Sequence, residues 1–132
     1  MSEYHVVELE IKDESCLVEA LHEMNYKPEI HKKAKALIGY KGDKRSQKAH
    51  IIIPKNQIGS VSNDIGFERM NNGDMKMRIS EYDINSHKFN TNKLKQLYAK
   101  YKTISICKKK KYKLVSQKTD DKGRIRIKLT ST

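Results

Sequence analysis

The sequence predicts an α+β fold, an antiparallel sheet with two helices packed on one face. Three observations carry that reading. Residues alternate apolar and polar near the start, an Asn-Gly turn joins two β-forming segments, and two stretches place apolar residues at helical spacing. The elements run strand, helix, several strands, then strand, helix and two strands, which has the form of a diverged repeat of a strand–helix–hairpin unit. No linker divides the 132 residues, so the chain reads as a single domain over residues 1–132, large enough to bury a core without staples.

Residues 4–11 form the first strand, with Val7, Leu9 and Ile11 on one face and Val6, Glu8 and Glu10 on the other. Asp13 caps a helix running to about Asn25, acidic near its start at Glu14 and Glu19. Its buried stripe is Cys16, Leu17, Ala20, Leu21 and Met24, which makes Cys16 a core thiol. Residues 26–30 leave the helix extended, because Pro28 excludes the helical region for Lys27.

Residues 36–40 read as a short strand and residues 43–48 as a polar loop. Residues 49–53 are strongly β-forming and stop at Pro54, with a loop following over 55–63. Residues 65–70 and 75–82 make a hairpin around Asn71-Asn72-Gly73-Asp74, whose Asn-Gly pair suits a tight turn. Residues 83–90 connect to a second helix, capped by Thr91 or Asn92 and running to about Lys110. Its stripe is Leu94, Leu97, Tyr98, Tyr101, Ile104 and Ser105, flanked by Lys93 and Lys100 on one rim and Lys95 and Lys102 on the other. Residues 112–118 and 124–129 form a last hairpin, with Ile125, Ile127 and Leu129 inward and Arg124, Arg126 and Lys128 outward.

Charge points to a partner class. The chain has 28 Lys plus Arg against 16 Asp plus Glu, a formal net charge of +12. Residues 84–118 hold eleven lysines and no acid; setting them aside leaves 17 basic residues against 16 acidic ones. A patch of one sign steers polyanions toward it, less so as salt rises. Lysine outnumbers arginine 23 to 5, which a low-GC genome also produces.

At this point the residues show a likeness. The opening Met1-Ser2-Glu3-Tyr4, Ile11-Lys12-Asp13, and Leu17, Ala20, Leu21, Met24 and Tyr26 form its first part. Ile38-Gly39-Tyr40-Lys41-Gly42, the strand over 49–53, Asp64-Ile65-Gly66-Phe67, and Leu94, Leu97, Tyr98 and Ala99 continue it. In that order and spacing the chain resembles an uncharacterised plastid and cyanobacterial family, hypothetical chloroplast reading frame thirty-five, a domain of unknown function that also occurs in phages. The resemblance spans most of the chain, to about Leu129. It implies a fold and brings no activity, cofactor or catalytic residue. Family members are often acidic and carry tryptophans around the positions of residues 81–88, whereas this chain is basic and has no Trp.

The search for chemistry finds little to build on. Gly39-Tyr40-Lys41-Gly42-Asp43-Lys44-Arg45-Ser46 offers a phosphate loop through Gly39, Gly42, Lys44 and Arg45, and equally a turn that glycine permits. It lacks the Walker A spacing, and unlike the G-x-x-G loop of KH domains it joins strands. His5, His22, His31, His50 and His87 are too scattered for metal-ligand spacing, and His50 reads as a satisfied or solvent-facing imidazole. Glu8 and Glu10, and Arg124, Arg126 and Lys128, are rows that cross-strand ion pairs explain if their strands are neighbours.

The expectation is therefore a non-enzymatic module with no cofactor and no metal. It would bind RNA or DNA by the backbone through Lys93, Lys95, Lys100, Lys102, Lys108, Lys109, Lys110, Lys111, Lys113, Arg124, Arg126 and Lys128. The alternative is a protein-interaction or assembly factor whose basic surface meets an acidic protein or is only compositional. A small enzyme or nucleotide binder around residues 39–46 is the third reading. Homo-oligomerisation through an edge strand fits an open sheet. The start of the chain carries no secretory pattern and no apolar run spans a membrane. With two cysteines outside any motif, a reducing compartment is expected, a cytoplasm or a plastid stroma.

Overall fold

Alternation near the start becomes β1 (Tyr4–Ile11), which is laddered antiparallel to β5 (Met75–Ser80) with Val7 opposite Met77. This computed structural model describes residues 3–110, 112–119 and 125–131, and within them the side chains of residues 3–7 and 11–108. The class is α+β. The strands sort into a five-stranded antiparallel sheet, β1-β5-β4-β3-β2, and a two-stranded one, β6-β7. Here β2 is Glu29–Ile38, β3 Lys44–Ile53, β4 Ile65–Arg69, β6 Tyr112–Thr119 and β7 Ile125–Ser131. The ladder partner of β1 is thus β5 and that of β7 is β6, so the rows of Glu8 and Arg126 are not cross-strand neighbours.

Three helices accompany the sheets, α1 (Glu14–Glu23), α2 (Glu81–Ser86) and α3 (Thr91–Lys110). The chain forms two units that interleave in sequence. One holds Met1–Lys12 and Asn25–Asn90, the other Asp13–Met24 and Thr91–Thr132. The order strand, helix, hairpin does occur twice, as β1-α1-β2-β3 and, with α2 inserted, as β5-α3-β6-β7.

In the first unit one row of the sheet crosses Ile51, Phe67, Met77 and Val7, directly opposed on successive strands. Ile51, Phe67 and Met77 are fully buried. On β5 the period of two is explicit, with Met75, Met77 and Ile79 buried between half-buried Lys76 and Arg78. The other face packs Leu37, Ala49 and Ile52, with Tyr4 against them. Gly66 lies between these layers. A methyl group there would stand 2.4 Å from the Ala49 Cβ and 2.8 Å from a Leu37 methyl, so only glycine lets the hairpin close onto β4.

β2 and β3 are each longer than residues 36–40 and 49–53 suggest. Residues 44–48 are strand, not loop; their side chains alternate half-buried and exposed, with no buried apolar row for the period to show in. The hairpin turns at Gly42, with φ +82°, while Gly39 N–H donates to the Asp43 carbonyl at 2.8 Å. The Asn-Gly hairpin forms around Gly73, φ +89°, but its second strand stops at Ser80 where 75–82 was expected, because Glu81 and Tyr82 open a helix. α1 ends at Glu23, and Asn25 takes the left-handed conformation after it, φ 68°.

The loop after β3 carries the polar frame. The Asp64 carboxylate accepts the Ile38 N–H at 2.9 Å and the Lys55 N–H at 2.8 Å. Its own N–H donates to the Ile38 carbonyl, and its carbonyl accepts the Tyr4 hydroxyl at 2.6 Å. Asn63 accepts the Tyr40 N–H at 2.9 Å and donates through Nδ2 to Ser80 Oγ at 2.9 Å; its own N–H donates to Asp83 Oδ2 at 3.1 Å. Ser80 and Asp83 cap α2 reciprocally, Ser80 Oγ accepting the Asp83 N–H and donating to Oδ2. Hence residues 83–90 are not all connection. A Ser-x-x-Asp cap at residues 80–83 starts a helix that closes at His87, φ 56°.

Two destabilising changes are expected. Gly66→Ala overpacks against Ala49 and Leu37 and should lower stability by about 2–3 kcal/mol. Asp64→Ala leaves the Ile38 and Lys55 amides unpaired and should cost about 2–4 kcal/mol. Urea unfolding followed by circular dichroism measures both, and a change below about 0.5 kcal/mol in either contradicts the packing described.

Candidate functional site

Most of the predicted basic residues belong to the second unit, whose frame is α1 against α3. Cys16, Leu17, Ala20 and Leu21 on α1 are buried, as are Leu94 and Leu97 on α3, all in the expected stripes; Cys107, outside the expected α3 stripe, is buried as well. Burial and the neighbouring Asp13 push the Cys16 thiol up from its ordinary value, which suits a core thiol and not a nucleophile. Asp13 caps α1 as anticipated, accepting from the Cys16 N–H at 3.2 Å and the Ser15 hydroxyl at 2.8 Å. Its backbone N–H donates to the Tyr98 hydroxyl at 3.1 Å, and Lys102 Nζ lies 3.5 Å from its carboxylate.

At the other end of α1, Glu23 accepts the Tyr101 hydroxyl at 2.6 Å and Lys100 Nζ at 3.0 Å. A ten-residue helix is about 15 Å long, yet both its ends reach the single α3 turn from Tyr98 to Lys102.

This clamp sorts the lysines. Lys100 and Lys102, one from each rim, are ion-paired to α1, and Lys100 also lies 5.3 Å from the Tyr101 ring centre. Lys93, Lys95 and Lys108 are exposed. Tyr98 and Tyr101 are half-buried with their hydroxyls bonded inside the unit, which removes Tyr101 as a free stacking ring. Lys109 and Lys110 complete the last turn of α3, where cations also complement the helix dipole. Lys111 and Arg124 lie outside the described residues.

The hairpin register decides the rest. Lys118 is opposite Arg126, Ser116 opposite Lys128 and Lys113 opposite Thr130. A register shift falls between Leu114 and Ser116. Neither strand contains an acidic residue.

The phosphate-loop residues sit elsewhere, in the first unit. Gly39 and Gly42 use their amides inside the turn, donating to the Asp43 and Gly39 carbonyls. Arg45 is held 2.9 Å from the Asp43 carboxylate, with its guanidinium 5.4 Å from the Tyr4 ring centre. Of the four, Gly42 and Lys44 are exposed. His50 is a satisfied imidazole, its Nδ1 accepting the Arg69 N–H at 2.9 Å. Among the described residues no three His, Cys, Asp or Glu side chains gather as a metal site, and no helix is long and apolar enough to cross a membrane.

One concentration of charge was not singled out from the sequence. Residues 32–55 hold eight basic residues and one acidic residue. The near-neutral total outside residues 84–118 conceals them, because acids elsewhere balance the sum. A running charge count would have found them.

A family model described as "Protein of unknown function (DUF1257)" matches residues 20–128. The chain belongs to that family. The DUF1257 match takes in Asn63, Asp64 and Asp83, all of α3 and most of the last hairpin, and leaves Asp13 outside. Neither a curated protein nor a solved structure matches the chain.

The clamp has a defined pH window. The Ser15 hydroxyl, with the Cys16 amide, holds the Asp13 carboxyl down to about 2 from an ordinary 3.8. The Tyr101 hydroxyl, with Lys100, likewise lowers Glu23. Depressed carboxyls contribute stability above their ordinary values and lose it as pH falls toward the folded ones. The bond to Glu23 raises the Tyr101 phenol from 10.0 to about 12, a contribution complete below 10 and lost as pH rises through 12. The second unit should therefore weaken below about pH 4 and again above about pH 10. Asp13→Ala should cost about 1 kcal/mol at neutral pH and flatten the acid limb. Thermal unfolding of both proteins across pH checks this; an unchanged acid limb in the variant contradicts the assignment.

Proposed function

We propose that the chain is a small non-enzymatic module that binds RNA or DNA along the phosphate backbone, with weak sequence selectivity, through α3 and the β6–β7 hairpin. The observation that supports it is the hairpin register, which pairs Lys118 with Arg126, Ser116 with Lys128 and Lys113 with Thr130. Like charges directly opposite one another, as Lys118 and Arg126 are, destabilise a ladder unless an anion lies across them. A phosphate backbone supplies such an anion, and counterion release makes the binding salt-dependent. The exposed Lys93, Lys95 and Lys108, with Lys109 and Lys110, extend the contact along α3, while Lys100 and Lys102 serve the fold.

No cofactor enters this reading. The free, buried Cys16 and Cys107 agree with a reducing compartment. The finer likeness to the plastid, cyanobacterial and phage family remains our reading of the motifs between Met1 and Leu129.

A second reading has one observation in its favour. Lys100 and Lys102 have internal carboxylate partners, as lysines of a merely compositional charge would. The chain would then be a protein-interaction or assembly factor facing an acidic protein surface. Self-association is a further proposal, since β1 and β2 are the outermost strands of their sheet and expose Val6 and Ile30.

Fluorescence anisotropy of labelled single-stranded RNA and duplex DNA at two salt concentrations tests the first reading. We expect micromolar binding with a log–log salt slope of about 0.7–0.9 per phosphate contacted. Replacing Lys113, Lys118, Arg126 and Lys128 by Gln should remove roughly three units of that slope, whereas Lys100→Gln with Lys102→Gln should lower stability and leave the slope. Absence of binding at low salt sinks the nucleic-acid reading and turns the search to acidic protein partners.

A further inference from the structure

The first unit carries a basic concentration of its own, on the β2–β3 hairpin. Residues 29–48 hold Lys32, Lys33, Lys35, Lys41, Lys44, Arg45 and Lys48 against Glu29 and Asp43. Both acids have partners inside the hairpin. The Glu29 carboxylate lies 3.1 Å from His31 Nε2, and that of Asp43 lies 2.9 Å from Arg45. The six lysines are all exposed, and their side chains make no ion pair or hydrogen bond among the described residues. Lys41 lies over the Tyr40 ring, 5.5 Å from its centre.

The ladder leaves these charges unopposed. Its register sets Ala49 across from Lys35, Ala36 across from Lys48 and Ile38 across from Lys44, so no carboxylate stands opposite any of the three. On β4 and β5 the reverse holds, with Glu68 directly opposite Lys76. Two structural uses of lysine do not cover the arrangement. Lysines on an outermost strand guard it against pairing with a copy, which fits Lys32, Lys33 and Lys35 on β2. Lys41 lies in the turn, however, and Lys44 and Lys48 lie on β3, which β2 and β4 flank. Nor do these lysines hold a carboxylate as Lys100 and Lys102 do. Ammonium groups spread along a two-stranded ribbon do not converge on a small anion. They suit a line of charges. Phosphates follow one another at about 3.4 Å along each strand of a duplex, and strand residues advance by a similar ~3.3 Å.

We propose that the β2–β3 hairpin is a second surface for the phosphate backbone of RNA or DNA, separate from α3 and the β6–β7 hairpin, with Lys33, Lys44 and Lys48 among its contacts. The class of partner rests on the nucleic-acid reading above; the surface is independent of it.

Fluorescence anisotropy of labelled single-stranded RNA across salt concentrations tests it on the full chain and its variants. Lys33→Gln, Lys44→Gln and Lys48→Gln together should remove roughly two units of log–log salt slope. Taking the same number of charges from the exposed Lys12, Lys27 and Lys88 should leave the slope nearly as it was. Combining the hairpin variant with Gln at Lys113, Lys118, Arg126 and Lys128 should add the two losses. Acetylation of the unsubstituted protein with and without RNA, read by mass spectrometry, gives a second measure; Lys44 and Lys48 should be shielded more than Lys12 and Lys27. Circular dichroism confirms that the variants fold, and the acetylation pattern needs no variant. A slope that the β6–β7 variant lowers and the hairpin variant does not overturns this inference and leaves the α3 and β6–β7 interface standing. A loss confined to the hairpin variant supports it and removes β6–β7 from the interface. Equal losses from the hairpin and control variants overturn it as general basic attraction, and no binding at low salt overturns both surfaces.

Discussion

Two adjacent residues in a loop, Asn63 and Asp64, hold the first unit together. Between them they bond the backbone of Ile38, Tyr40 and Lys55, the side chains of Ser80 and Asp83, and the hydroxyl of Tyr4. Both are buried, so each unmade bond would leave a polar group without water. Burial, helped by the Glu29 charge, pushes the Asp64 carboxyl upward, and the two backbone amides work against that shift. The network is worth its desolvation because it is nearly complete; the exceptions are Asp83 Oδ1 and Ser62 Oγ, buried with no partner. The end of β2, the hairpin turn and the start of α2 all take their positions from these two residues.

Position divides the work of the basic residues. In the second unit Lys100 and Lys102 answer the carboxylates at the two ends of α1, and their charge is part of the fold. The same residue type at Lys93, Lys95 and Lys108 faces solvent. On the hairpin the register sets Lys118 opposite Arg126. Net charge of +12 therefore says little by itself about an interface. What matters is which cations have internal partners, as Lys100 and Lys102 do, and which the strand register sets opposite one another.

Much of the fold was legible from the residues. The strand over Tyr4–Ile11, the cap at Asp13, the apolar stripe of α1, the Asn-Gly turn and the extent of α3 to Lys110 all follow from local pattern. Residues 44–48 misled because a strand end with no buried apolar row carries no period to read. α2 was hidden by its brevity, though Ser80 and Asp83 at capping spacing announce it. The candidate sites were legible in composition only. Tyr101 sits on an apolar stripe in sequence, yet its hydroxyl serves Glu23, 78 positions away.

The sequence by itself determined the α+β class, most helices and strands, and a surplus of lysine, since these depend on composition and on neighbours a few residues apart. Tertiary structure decided which strands pair, which lysines are paired and which are left, and where Asn63 and Asp64 reach. Those outcomes depend on contacts between residues such as Tyr4 and Asp64, 60 positions apart, and on strand register. Local spacing carries no record of either, because pairing is chosen by the burial and hydrogen-bond satisfaction of the whole unit.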